Sequence, residues 1–239
     1  MAGGRGVSGN ERGVVVAVDG PSGSGKSTIS RLVAEQLGLA YLDTGAMYRA
    51  ATWWCVREGI DLDDADAVAR ATRELPLTMG TDPAVPGVAV GGEDVSVVIR
   101  STEISTLVSK VATNLDVRAE MRRRQRAIID EERARRGVVA EGRDITTVVA
   151  PDADLRMLLV ADEQARLRRR AREVHGADDE AALEATKDQV LRRDADDATV
   201  SSFHEAAEGV VTVDSSDLTL EETVAAVRRL VETARAAGS

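Results

Sequence analysis

Gly20-Pro21-Ser22-Gly23-Ser24-Gly25-Lys26-Ser27-Thr28, directly after the apolar run Val14-Val15-Val16-Ala17-Val18, is the stretch on which the fold turns. It fits the pattern G-x-x-x-x-G-K-[ST]. A β-branched run enters it, and Ile29, Leu32, Val33 and Leu37 leave it at helical spacing, which predicts strand, loop and helix in that order. The glycines let successive N–H groups turn inward around an anionic phosphate, and the positive end of the following helix adds to their pull. Residues Gly20 to Thr28 are therefore the expected cradle of a nucleoside triphosphate. Lys26 is expected to reach the β- and γ-phosphates, and the Ser27 hydroxyl to ligate Mg²⁺.

Downstream, Ala40-Tyr41-Leu42 is a short segment before Asp43-Thr44-Gly45-Ala46-Met47-Tyr48-Arg49, where Asp43 or Thr44 can cap a helix running to about Glu58. Asp63 or Asp64 opens another helix, through Glu74. From 75 to 100 the texture changes, and prolines and glycines punctuate β-prone runs. Gly91-Gly92 between Gly87–Val90 and Val95–Ile99 predicts a hairpin within a small antiparallel insert. Helices are then expected from Ser101 and over about Val117 to Arg135. Val138-Val139-Ala140 has the unbroken apolarity of a buried parallel strand, and it delivers Glu141-Gly142-Arg143-Asp144 at its carboxyl end. Further strands are expected at Leu155–Val160 and Val210–Val213, with helices near 162–174 and 178–193 between them and a last helix over about Thr219 to Ala236. Alternating βαβ units of this kind predict an α/β fold: a doubly wound parallel sheet of the P-loop NTPase type with a small antiparallel β insert. Ligands bind such sheets outside the carboxyl ends of the strands, so the phosphate loop and Glu141–Asp144 are expected to face one crevice.

Composition narrows the function. A formal net charge of −10 gives no general attraction for nucleic acid or an anionic membrane, and neither is expected as a partner. One cysteine, Cys55, leaves no internal disulfide, and His175 and His204 suggest no zinc site. No apolar run approaches the roughly 20 residues of a membrane span. The Gly-rich, polar residues 1–12 are expected to be a flexible leader, and the cytoplasm is the expected location. All but three of the 31 basic residues are arginines, which suits forked phosphate recognition but also a solvated helix face, the reading favoured for Arg122 and Arg123. The chain has no N-K-x-D guanine reader, no L-S-G-G-Q signature and no long apolar strand ending in Asp-Glu. A phosphoryl-transfer enzyme with a second anionic substrate explains the early phosphate loop, the arginine-bearing segment Asp43–Arg49 and the basic helix expected near 166–172 together.

The segments quoted so far, with Gly92-Glu93-Asp94-Val95-Ser96, Val117-Arg118, Arg124-Gln125-Arg126, Glu141-Gly142-Arg143-Asp144-Ile145 and Arg193-Asp194-x-x-Asp197, resemble bacterial cytidylate kinases in their order, over about residues 14 to 235. That resemblance implies transfer of the ATP γ-phosphate to CMP or dCMP, with UMP kinases and a weakened nucleotide-binding paralogue as alternatives. It implies one kinase domain, 13–239, made of a core (13–43, 137–161, 209–239), a monophosphate region (44–136, insert 75–100) and a helical lid (162–205); a monomer is expected, although the sequence does not give the oligomeric state. It further implies that Thr44, Tyr48 and Arg49 line the monophosphate pocket, with Arg49 and Arg143 on the acceptor phosphate. Ser109, Arg118 and Asp144 would read the cytosine edge, and Arg193 and Asp197 would contact the pentose. Arg166, Arg169 and Arg170 would belong to the lid and join Lys26, Arg49 and Arg143 as catalytic cations. The chain departs from the family at two places: Val200 stands where the family carries an arginine on the acceptor phosphate, and Thr146 replaces a glycine. One lost charge-assisted contact costs about 1.5–3 kcal/mol, which weakens a kinase without abolishing it, unless a neighbour such as Arg192 substitutes.

Overall fold

A computed structural model describes residues 12–201 and 203–238, so the expected leader falls almost wholly outside the described residues. The chain runs β1 (Val15–Asp19), α1 (Lys26–Leu37), β2 (Ala40–Asp43), α2 (Thr44–Arg57), α3 (Ala65–Glu74), β3 (Leu77–Met79), β4 (Val88–Val90) and β5 (Glu93–Asp94). It continues with α4 (Thr102–Ala112), α5 (Leu115–Arg133), β6 (Val138–Gly142), β7 (Leu155–Val160), α6 (Glu163–His175), α7 (Glu180–Ala198), β8 (Val211–Asp214) and α8 (Leu220–Gly238).

Five strands pair in the order β2-β6-β1-β7-β8, all parallel. Every residue of β1 and β6 is buried, as their unbroken apolarity requires at the centre of a sheet covered on both faces. The pleat divides β1 between two cores. Val15 and Ala17 meet Met47, Ala50, Met121 and Ile129 of α2 and α5. Val16 and Val18 meet Ile29 and Val33 of α1 and Val224, Val227 and Val231 of α8. Burying such a side chain stabilises by roughly 1.5–3 kcal/mol, so this alternation holds the helices on both faces. Short polar side chains start the helices: Asp43, Asp64, Ser101, Asn114, Asp162 and Asp179 each accept a backbone N–H of the first turn. No helix among the described residues is long and apolar enough to cross a membrane.

Two expectations need correction, and one turn was not anticipated. The insert is a three-stranded antiparallel sheet, β3-β4-β5, and Gly91-Gly92 does turn the chain, but Val95–Ile99 is not a strand. Its outgoing arm is only Glu93–Asp94, after which Val98–Arg100 forms a 3₁₀ turn. Val95 and Ile99 are both fully buried while Val97 is 88% exposed, a spacing of four that a helical turn satisfies and a strand cannot. The α7 helix continues past position 193 to Ala198, so the Arg193–Asp197 motif lies on a helix. Finally, Ile145–Val149 is one wide helical turn, tied back to β1 because the Asp19 carboxylate accepts the N–H groups of Ile145 (2.9 Å) and Thr146 (2.8 Å).

Candidate active site

Strand register assembles the site. It sets Asp19 beside Gly142 and Asp43 beside Glu141, so the ends of β1, β2 and β6 deliver the phosphate loop, two carboxylates and Arg143-Asp144 to one place. The loop needs glycine where it is crowded. A Cβ on Gly20, at φ 154°, would lie 2.1 Å from the Leu159 carbonyl oxygen, and one on Gly23, at φ 75°, 2.6 Å from that of Arg166. Unlike the helices named above, α1 begins at Gly25 without a side-chain cap, which leaves its first N–H groups for an anion.

These groups border a crevice of about 190 Å³ lined by phosphate-loop residues together with Asp43, Arg49, Arg100, Glu141, Arg143 and Arg170. Lys26 also lines it, its Nζ donating to the Pro21 carbonyl at 2.8 Å. Ser27 Oγ donates to Glu141 Oε1 at 2.7 Å, and the Tyr41 hydroxyl reaches the same oxygen at 3.3 Å. Burial lifts the Glu141 carboxyl above its ordinary range, and the negative Asp43 beside it adds to this, against the pull of Lys26. Burial acts on Asp43 as well, but Arg49 and Arg100 outweigh it and hold this carboxyl below its ordinary range. Both guanidiniums donate to Asp43 Oδ2, Arg49 at 3.0 Å and Arg100 at 3.1 Å. Arg49 Nε is buried without a hydrogen-bond partner.

Beyond Glu141, Arg118 donates to Asp144 Oδ2 at 2.6 Å, to Ser201 Oγ at 2.8 Å and to the Ala112 carbonyl at 3.2 Å. Burial raises the Asp144 carboxyl despite the charges of Arg118 and Arg122. Burial, with Asp144 nearby, pushes the Tyr48 hydroxyl up to about 12. The Thr44 hydroxyl donates to the Glu141 carbonyl at 2.7 Å, turned toward the strand end. Ser109 is half-buried on α4, which packs against α5 and α7.

The α6–α7 pair docks on the phosphate loop from the other side. Arg166 donates to the Ser22 carbonyl at 3.0 Å and to Asp194. Arg169 donates to the Ser24 carbonyl (3.1 Å) and to Ser215. Arg143 points the same way: its Nε meets Asp197 at 2.9 Å, its other nitrogens meet Asp194 and the Gly20 carbonyl, and its guanidinium lies 4.6 Å from the Phe203 ring. It thus pairs with α7, and it lines the same crevice as Arg49. Arg193 lies on α7, but its side chain is outside the described residues. Sequence reasoning missed Arg100, hidden at the end of a run read as a strand, and Asp194, quoted in a motif but assigned no role. Asp194 also accepts the Ser22 N–H at 2.9 Å, so it ties the loop, β6, α6 and α7 together.

The profile of the family described as Cytidylate kinase matches residues 16–233. The chain is 45% identical to a cytidylate kinase of Streptomyces avermitilis, over 94% of this chain and 95% of that one. It is 46% identical to one of Streptomyces coelicolor, over 93% and 94% of the two chains. It is 47% identical to one of Nocardia farcinica, over 95% and 97%. With its phosphate loop opposite a cluster of arginines at the ends of a parallel sheet, the chain belongs to the cytidylate kinase family of nucleoside monophosphate kinases.

Proposed function

We propose that the protein transfers the γ-phosphate of ATP to CMP or dCMP, giving ADP and the pyrimidine diphosphate. The observation that carries this reading is the crevice in which the phosphate loop faces Arg49, Arg100, Arg143 and Arg170. Phosphoryl transfer demands little more than alignment of donor and acceptor and neutralisation of the equatorial oxygens, which this lining is built to do. Lys26 and the N–H groups at the start of α1 hold the donor phosphates, and Arg49, on the wall of the crevice, takes the acceptor phosphate. Arg166, Arg169 and Arg170 close the donor side. A hollow of about 510 Å³ between the loop, α6 and the start of α8, lined in part by Thr28, Arg168 and Leu218, supports placing the donor nucleoside there. At the other end Asp144 accepts from the cytosine amino group, with Arg118 and Ser109 beside it, Tyr48 and Thr44 along the wall, and Arg193 and Asp197 toward the pentose. An ionised carboxylate accepts from that amino group and is repelled by the uracil O4, so CMP is favoured over UMP.

Mg²⁺ fits the oxygen donors at Ser27. Its hydroxyl is oriented by Glu141, whose carboxyl, like that of neighbouring Asp43, stands ready to hold metal-bound water. Among the described residues no three His, Cys, Asp or Glu side chains converge, as suits a cation that takes most of its ligands from phosphates and water. Mg²⁺ held by the Ser27 hydroxyl would supply positive charge to offset that of the donor phosphates. The reading includes a cytoplasmic monomer with the core, monophosphate region and lid delimited above. ADP release, measured with CMP, dCMP, UMP and AMP as acceptors, tests it. Preference for CMP or dCMP is expected; preference for UMP, or no ADP under saturating CMP, overturns it.

A further inference from the structure

Four helices open on an aspartate that satisfies its own first turn. Asp43, Asp64, Asp162 and Asp179 each bring their carboxylate back onto a backbone N–H three residues on. Asp144 opens the turn Ile145–Val149 and makes no such bond. Its carboxylate meets Arg118 instead, at 2.6 Å. The N–H groups at the start of that turn are taken by another strand. Asp19 ends β1 beside Gly142, and accepts from the Ile145 N–H through Oδ1 (2.9 Å) and from the Thr146 N–H through Oδ2 (2.8 Å). The Thr146 hydroxyl donates to Oδ2 as well, at 2.6 Å.

This arrangement is held against the cost of burial. Asp19 is 1% exposed and Thr146 3%, and burial raises the Asp19 carboxyl despite the three hydrogen bonds that it accepts. Without Asp19 the buried N–H groups of the turn would need another acceptor, and the acid nearest in sequence is Asp144 itself. An aspartate at the head of a turn caps it readily, as the other four do, and Asp144 would then turn away from Arg118. We infer that Asp19 is a positioning residue for base selection: by capping the Ile145–Val149 turn in place of Asp144, it keeps the Asp144 carboxylate directed at the acceptor base. Asp19 also leads straight into Gly20, so the phosphate loop and the base reader share one anchor. This inference rests on the proposed monophosphate kinase reading and adds to it a residue that touches neither nucleotide.

Calorimetric titration of the wild type, Asp19→Asn, Asp144→Asn and the double variant with CMP, UMP and ATP tests it. Asp19→Asn keeps the shape but sets an amide donor against the donors of the turn. It should narrow the preference for CMP over UMP by about tenfold and leave ATP within about threefold of the wild type, as the loss of one charge-assisted contact to the base implies. In the Asp144→Asn background the same change should move that preference by less than about twofold, because a residue that acts through another has no effect once the other is gone. Equal narrowing in the two backgrounds overturns the inference. So do parallel losses for CMP, UMP and ATP, which would mean that Asp19 only supports the sheet end. If Asp19→Asn does not fold, Thr146→Val removes one donor to the same carboxylate and Thr146→Ser restores it. The preference should then narrow by about threefold in the first and hold in the second, and an unchanged preference in Thr146→Val overturns the inference. Should the wild type bind UMP more tightly than CMP, the assignment of the base falls, while the cycle of the two aspartates, read on that ratio, still decides whether Asp19 acts through Asp144.

Discussion

Asp144 is a carboxylate kept in a place that disfavours its charge. It is only 8% exposed, and burial raises its pKa even though Arg118 lies 2.6 Å away. Such a pair is held for what it does, because breaking it from one side leaves a buried charge alone at a cost of about 3–5 kcal/mol. Asp144→Ala would therefore mix a selectivity change with unfolding of the Arg118 corner. Asp144→Asn keeps the shape and an acceptor oxygen, so it is the cleaner variant. Its catalytic efficiency should fall more on CMP than on UMP, narrowing the preference, while its melting temperature stays above that of Asp144→Ala. Equal losses on the two acceptors would take Asp144 out of base reading. The motif Arg143-Asp144 was legible because it ends a wholly apolar strand. That Arg118 and Ser201 complete its surroundings was not, since they lie 26 residues before and 57 after it in sequence.

At the scale of elements, α5 holds α3 through a chain of charged contacts. Glu120 accepts from Arg123 (2.7 Å) and Arg124 (2.6 Å), and Arg124 in turn donates to the carbonyls of Thr72, Arg73 and Leu75 at the end of α3. The Arg123 hydrogen bond, then that of Arg124, holds the Glu120 carboxyl down to about 2 from its usual 4.5. A carboxyl depressed in the folded state contributes stability above its unfolded pKa and loses it as pH falls through the folded one. Glu120→Gln should therefore melt below the wild type at pH 7, by the equivalent of about 1 kcal/mol after solvent screening, and the gap should close between roughly pH 4.5 and 2. Denaturation of both proteins across that window checks it; a gap independent of pH would show that shape rather than charge matters here. The helix itself was predictable from its pattern and caps. The misread run Val95–Ile99 shows the limit: its residues favour a strand locally, but burial of Val95 and Ile99 against the α2 side of the core decides for a turn.

For the whole molecule, Asp194 is where α6 and α7 meet the phosphate loop and the end of β6. It is 5% exposed and receives the Ser22 N–H, Arg143 and Arg166. Asp194→Ala should loosen α6 and α7 against the phosphate loop and take one acid partner from each arginine, leaving Arg143 on Asp197 and Arg166 on the Ser22 carbonyl. Faster amide exchange across 163–198 is expected, with β1 and β6 protected as before, and kcat/KM should fall at least tenfold for both substrates. Unaltered exchange in α6 and α7 would mean that the helices are held by other contacts.

The phosphate loop, the buried strands and the order of elements were written in the sequence. Each depends on neighbours a few residues apart, such as an apolar run, a glycine, or a cap three positions from its N–H. Which carboxylate each arginine meets was decided only in three dimensions. Arg143 finds Asp197 across 54 residues, and Arg100 finds Asp43 across 57. A long guanidinium side chain can pair with any acid within reach, so its partner follows from strand register and helix docking rather than from its own place in the chain.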